Sequence, residues 1–126
     1  MLKAFYSVED FRRGARRRMP HMIFDALDGA AGTERASRLN MAALENIRLQ
    51  SRILVNVEHR ALSTTFLDRQ WDLPFGIAPM GMCNLFWPGA DEALASVSRQ
   101  RNMPLAVSTM ASSSLESIIE RAQGNA

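Results

Sequence analysis

The sequence predicts an α/β fold: a helical front section, a β-hairpin, and then two strand–loop–helix units in succession. Three observations carry that prediction. Two short apolar runs, Leu73–Ile77 and Met103–Thr109, each lead through a loop into an amphipathic helix. Such alternation builds parallel sheets, because parallel neighbours need a crossover between them. Ahead of these units, Ser63–Leu67 and Trp71–Ala78 bracket Asp68-Arg69-Gln70 as the arms of a hairpin would. On this reading residues 1–60 form a helical segment, and 61–126 hold the hairpin and the first two βα units.

The elements follow in order. Ser7 stands as a cap before Glu9 and Asp10, acids suited to a first helical turn, so a helix runs from there to about Arg18 and stops at Pro20. A second spans Met22 to about Leu27 and ends in a Gly/Ala-rich stretch. Thr33 then caps a third, Glu34–Ile47, whose apolar stripe is Leu39, Ala43, Leu44 and Ile47. Arg52–Val57 is the first strand candidate. Beyond the hairpin, Gly89–Arg101 is a helix with Ala93, Leu94 and Val97 on one side, and Ser114 caps a last helix to Ala122.

Composition narrows the function classes. Of 126 residues, 47% are hydrophobic, which argues for a folded chain, and the net charge of +2 gives no broad pull toward nucleic acid. The arginines at 12, 13, 16, 17 and 18 share faces at helical spacing without a nucleic-acid module, so they read as a solvated face. A lone cysteine, Cys83, excludes an internal disulfide framework and suits a reducing compartment; the thiol reads as buried and inert. His21 and His59 lack companions at metal-ligand spacing, so no metal site is expected. Met1–Tyr6 runs straight into charges, unlike a secretory signal, and no window reaches the ~18 apolar residues of a membrane span.

One stretch asks for an explanation. "LPFGIAPMGMCNLFWPG", Leu73–Gly89, continues apolar beyond its strand, so its loop should be buried, cover something or line a pocket. The architecture also asks for more chain. Two parallel strands neither close a barrel, which takes about eight strands, nor bury both faces of their sheet.

Six segments in order answer both points: "SVEDFRRGARRRMPHMIFDALDGAAGTE", N-x-x-A-L-x-x-I from Asn40 to Ile47, "SRILVNV", "LPFGIAPMGM", "WPGADEALA" and "AVSTMASSSLESI". Together, from Ser7 to Gly124, they resemble the FMN-dependent α-hydroxy acid dehydrogenases and oxidases, which include glycolate oxidase and the L-lactate and mandelate dehydrogenases. The resemblance implies a TIM (β/α)8 barrel, here incomplete, preceded by helices and a hairpin that closes its bottom. It implies FMN as cofactor, with the backbone of Pro79, Met80 and Gly81 against the flavin and the Ser108 hydroxyl in contact with it. Small residues let a main chain approach a flat ring, and strand ends of such barrels carry the site.

The resemblance also implies a small 2-hydroxy acid substrate, a homo-oligomer when complete, and a cytoplasmic location that allows peripheral contact at the inner membrane. Position 26 corresponds to a family tyrosine that helps bind the substrate carboxylate; Phe24-Asp25-Ala26 stands where the family reads Tyr-Asp-Tyr, so that hydroxyl is absent. Met80 replaces a threonine usual in the family, Gly89 comes one place early, and Met110 takes a position that varies between aromatic and small. The family's catalytic histidine, carboxylate-clamping arginines, flavin-side lysine and phosphate loops all correspond to positions beyond residue 126, so no catalytic residue is assigned in this chain. Two functions follow: the N-terminal part of an FMN-dependent enzyme oxidising a lactate-like 2-hydroxy acid, inactive by itself, or a non-catalytic small α/β binding or assembly protein that retains the barrel's front.

Overall fold

A computed structural model describes residues 5–126, which divide into two compact units with the boundary between Val55 and Asn56. The first unit holds three helices: α1 (Val8–Arg16), α2 (His21–Asp28) and α3 (Arg35–Glu45). Ser7 begins α1 through a reciprocal cap, its hydroxyl accepting from the Asp10 N–H at 3.2 Å while Asp10 Oδ2 accepts from the Ser7 N–H at 3.0 Å. Pro20 fixes the entry to α2, where its missing N–H costs nothing. Arg12 then ties α1 to α2, donating Nε to Asp28 Oδ1 at 2.6 Å and Nη2 to Oδ2 at 2.9 Å. Phe24 is the buried residue of α2.

Three expectations for the front of the chain change. The cap of α3 is Glu34, in the left-handed region with φ 58° and no side-chain capping bond, rather than Thr33. The stripe of Leu39, Ala43, Leu44 and Ile47 is exposed, since α3 buries no residue. Arg52–Val57 forms no strand: an apolar run becomes one only where a partner backbone takes its hydrogen bonds, and Ile53 and Leu54 are exposed.

In the second unit, β1 (Thr64–Phe66) and β2 (Arg69–Trp71) form an antiparallel hairpin with Phe66 opposite Arg69. Its turn is therefore Leu67-Asp68, one step before the expected Asp-Arg-Gln, with φ of 51° and 56°. Two consecutive positive φ values are those of the type I′ turn that matches strand twist. Trp71 is buried, donates Nε1–H to the Phe66 carbonyl at 3.0 Å, and lies under the Arg69 guanidinium. The second arm ends at Trp71, so Leu73–Ala78 does not continue the hairpin as expected.

It pairs elsewhere. The Ile77 N–H donates to Pro104 O at 2.8 Å and the Ala106 N–H to Ile77 O at 3.0 Å, which makes a parallel bridge between Ile77 and Leu105. The two predicted strands thus meet side by side in parallel, with their regular pairing confined to that bridge. Gly76 permits the approach: a Cβ there would lie 2.5 Å from the Pro104 carbonyl oxygen. On the other side of the second segment, the Leu105 N–H donates to Asn125 O at 2.8 Å.

Three helices complete the unit: α4 (Cys83–Phe86), within the apolar loop, then α5 (Ala90–Gln100) and α6 (Leu115–Ala122). Ser114 caps α6 as expected, its hydroxyl accepting from the Ser117 N–H at 3.3 Å. Ala95 of α5 and Ile118 and Ala122 of α6 pack with Leu105 into a core, joined by Ile77, Val107 and Ala111. The face of α5 turned inward is Asp91, Ala95 and Ser98, whereas Ala93 and Val97 are exposed, so the expected apolar side is rotated. Both polar residues are satisfied: the Ser98 hydroxyl donates to Met103 O at 2.7 Å, and Asp91 binds the loop before α6. A small, hydrogen-bonded residue lets a helix lie close to strands where a larger one would hold it off.

Candidate functional site

The candidate site comprises the two loops that leave the Ile77–Leu105 bridge in the chain direction, residues 78–83 and 107–113. The loops touch. The Met82 N–H donates to Met110 O at 2.8 Å, and a Cβ on Gly81 would lie 2.9 Å from Met110 Cβ and 3.6 Å from Ser108 Oγ. Three of the expected residues, Pro79, Met80 and Gly81, are consecutive in the first loop, and the fourth, Ser108, faces Gly81 across the gap.

Ser108 is half-buried, and its oxygen already accepts from the Met110 N–H at 3.1 Å. That bond fixes the side chain while leaving its own O–H to donate elsewhere. The Gly81 N–H has no hydrogen-bond partner among the described residues. Met80 and Met82 are each about half exposed, so the apolar loop is open rather than buried in this chain. Beneath it a cavity of about 20 Å³, lined by Ala78, Met80, Cys83, Asp91 and Ser108 among others, has room for one water at most. A wider cleft of about 230 Å³ opens on the far side of Ser108, along Thr109, Ser113 and Leu115.

Polar bonds hold the loops from below. Buried Asp91, in the first turn of α5, accepts through Oδ2 from the N–H groups of Ser112 at 2.8 Å and Ser113 at 2.9 Å. Asn84 of α4 accepts from the Asp91 N–H at 3.2 Å, donates its own N–H to Ser112 Oγ at 3.2 Å, and gives Nδ2–H to Ser113 Oγ at 3.1 Å. The Ser113 hydroxyl donates to Glu92 Oε1 at 2.7 Å, and that bond first of all holds the Glu92 carboxyl below the usual carboxylate range. None of these residues stands out in the sequence as part of a site. Asp91 looks like an ordinary first-turn acid, and only the loop's return to the head of α5 reveals its second partner.

Cys83 is buried, and its thiol donates to Met80 O at 3.6 Å. Burial pushes the thiol pKa up, and the neighbouring Asp91 charge and hydrogen bond add to that, so the thiolate is disfavoured as expected for an inert cysteine. Ala26 lies on an exposed position of α2 in the first unit. His21 pairs with Asp25 through Nδ1 at 2.9 Å. No group of three potential metal ligands occurs among the described residues, and no helix among them is long and apolar enough to cross a membrane.

An α/β unit with its chemistry-bearing loops at the ends of parallel segments is the layout of barrel enzymes. The model of the FMN-dependent dehydrogenase family matches residues 15–126, and the chain belongs to that family. It is 34% identical over 112 residues to an L-lactate dehydrogenase of Xanthobacter autotrophicus, covering 89% of this chain and 29% of that one. It is 30% identical over 125 residues to the (S)-mandelate dehydrogenase of Pseudomonas putida, covering 99% of this chain and 32% of that one.

Solved structures agree. A soluble mutant of the membrane-associated (S)-mandelate dehydrogenase of Pseudomonas putida superposes with TM-score 0.86 at 30% identity, covering 94% of this chain and 34% of that one. Mandelate oxidase superposes with TM-score 0.86 at 32% identity, again over 94% and 34%. The chain thus spans about a third of the length of the relatives it matches, and its fold is the corresponding part of a TIM barrel. The residues present fit one edge of a flavin: a fixed serine with a free O–H, an unpaired glycine N–H, and an open methionine-lined loop.

Proposed function

We propose that this chain supplies the first flavin-facing edge of an FMN-dependent oxidoreductase that oxidises an L-2-hydroxy acid of the lactate type to the 2-keto acid. Bound FMN would accept at N5 the hydride that the hydroxy acid loses. Pro79, Met80 and Gly81 would lie against the ring through their backbone, and the Ser108 hydroxyl would donate to its polar edge. Position 26 would face the substrate carboxylate without a phenolic hydroxyl, favouring a substrate bulkier than glycolate or a water in the vacated space.

The observation that carries this reading is the juxtaposition of Gly81 and Ser108 at the ends of two parallel segments. The same loops hold no histidine, lysine or arginine, so neither a base for the hydroxyl proton nor a cation for the carboxylate is at hand in them. The chain by itself should therefore bind FMN weakly and turn nothing over. Incubation with FMN, L-lactate or (S)-mandelate and a dye acceptor should give no dye reduction above the FMN blank. Sustained turnover would overturn the reading of an inactive part. The closed core formed by Ala95, Leu105, Ile118 and Ala122 favours a second reading, a non-catalytic α/β binding or assembly protein. An entirely flavin-indifferent chain that folds cooperatively as a monomer would select it.

A further inference from the structure

We propose that Asp91 is a positioning residue that sets the spacing of the two strand-end loops, acting through Ser112 and Ser113 and without touching the flavin itself. Its buried Oδ2 is shared by two consecutive backbone N–H groups, at 2.8 and 2.9 Å, and its own N–H is held by Asn84 at 3.2 Å. Asn84 belongs to the helix that continues the Gly81 loop; Ser112 and Ser113 belong to the loop that continues Ser108. Asp91 therefore cross-links the roots of both loops. A carboxylate accepting two main-chain N–H bonds fixes a backbone more stiffly than any apolar contact of equal size, since losing it strands two part-buried donors. At the other end of the cross-link, the Met82 N–H donates to Met110 O, and Gly81 faces Ser108 so closely that a Cβ on it would lie 3.6 Å from Oγ. The consequence for cofactor binding rests on the flavin reading above; the consequence for loop spacing does not.

Amide exchange of the full chain, followed residue by residue by NMR with and without added FMN, tests it. In Asp91→Ala the amides of Ser112, Ser113 and Met82 should exchange at least about tenfold faster, while Ala106, bonded to Ile77 O, keeps its wild-type rate. Asp91→Asn retains an acceptor oxygen at the same place and should restore protection at all three. Wild-type exchange at Met82 in Asp91→Ala overturns the proposal. So does equal loss at Ala106, which would make Asp91 a general support of the unit.

Should Asp91→Ala fail to fold, Asn84→Ala serves. It removes the α4 side of the cross-link, so Met82 should lose protection while Ser112 and Ser113, still held by Asp91, keep theirs. Free exchange at the two serines overturns the proposal. In the flavin arm, millimolar FMN should shift the Gly81 and Ser108 amides of wild type and Asp91→Asn but not of Asp91→Ala. Equal shifts in all three overturn the proposal. Absence of shifts in wild type overturns the flavin reading alone, and the exchange data then decide on Asp91.

Discussion

Gly81 illustrates how much a single residue decides in this molecule. Its φ is not left-handed, so glycine is required there for space: the Met110 Cβ lies where a new side chain would reach, at 2.9 Å. That neighbour is attached directly to backbone and cannot swing aside. Gly81→Ala should force the two loops apart, at a cost typical of overpacking, about 1–3 kcal/mol. For a unit of this size that corresponds to a fall in midpoint of roughly 4–8 °C per kcal/mol, which a thermal melt followed at Trp71 fluorescence would read. An unchanged midpoint would mean that Met110 yields freely and that the loops are not mutually constrained. The apolar loop after the first strand was visible in the sequence, and the family resemblance picked out Gly81 within it. It hid Asp91, whose role depends on Ser112 and Ser113 returning from far along the chain to meet it.

At the scale of elements, the starts of α1, α2 and α6 were legible because their signals are local, whereas Thr33 carries a capping side chain without capping α3. Ser7 with Asp10, Pro20 and Ser114 each act within a turn of the residue that announces them. The reach of tertiary partners was not legible: Arg52–Val57 has strand composition without a strand, and α5 turns Asp91 and Ser98 inward where hydropathy would place them outside.

The α1 cap gives a pH prediction. Hydrogen bonds from Arg13 and Ser7 hold the Asp10 carboxyl down to about 2, below the unfolded value of about 3.9. A lowered folded-state pKa stabilises in full above the unfolded value and is lost as pH falls through the folded one. The Ser7 and Asp10 amide shifts of the capped state should therefore persist at pH 4 and disappear toward pH 2. In Asp10→Asn that titration should be absent; a midpoint near 4 in the native sequence would contradict the cap's role.

The hairpin gives a second prediction at this scale. Leu67 and Asp68 hold positive φ that neither prefers. Replacing them together by Asn and Gly, the preferred type I′ pair, should stabilise the hairpin by about 0.5–1 kcal/mol and raise the melt of the second unit. Loss of stability instead would show that Leu67 makes a contact worth more than the turn.

For the molecule as a whole, family membership was readable because six weak segments fall in one order. No physical pattern in the sequence could have supplied the barrel itself from two βα units. What the chain presents by itself is uncovered surface. In the second unit Phe75, Leu85 and Trp87 are more than half exposed, at 61%, 56% and 67%. The Val107 N–H, on the segment that pairs with Ile77 and Asn125, has no partner among the described residues. In the first unit α3 exposes its whole apolar stripe. Unpaired backbone beside apolar side chains is a template for association, since a second backbone satisfies the hydrogen bonds while its side chains cover the surface. The chain should therefore self-associate: its sedimentation-average mass should rise with concentration from micromolar upward, and detergent below its micelle concentration should reverse the rise. Binding of 1-anilinonaphthalene-8-sulfonate should fall as the mass rises, because association buries the same surface that the dye reports. A monomer of constant mass over a hundredfold concentration range, with one sharp melt, would contradict this and show that the exposed residues are too dispersed to act as a patch.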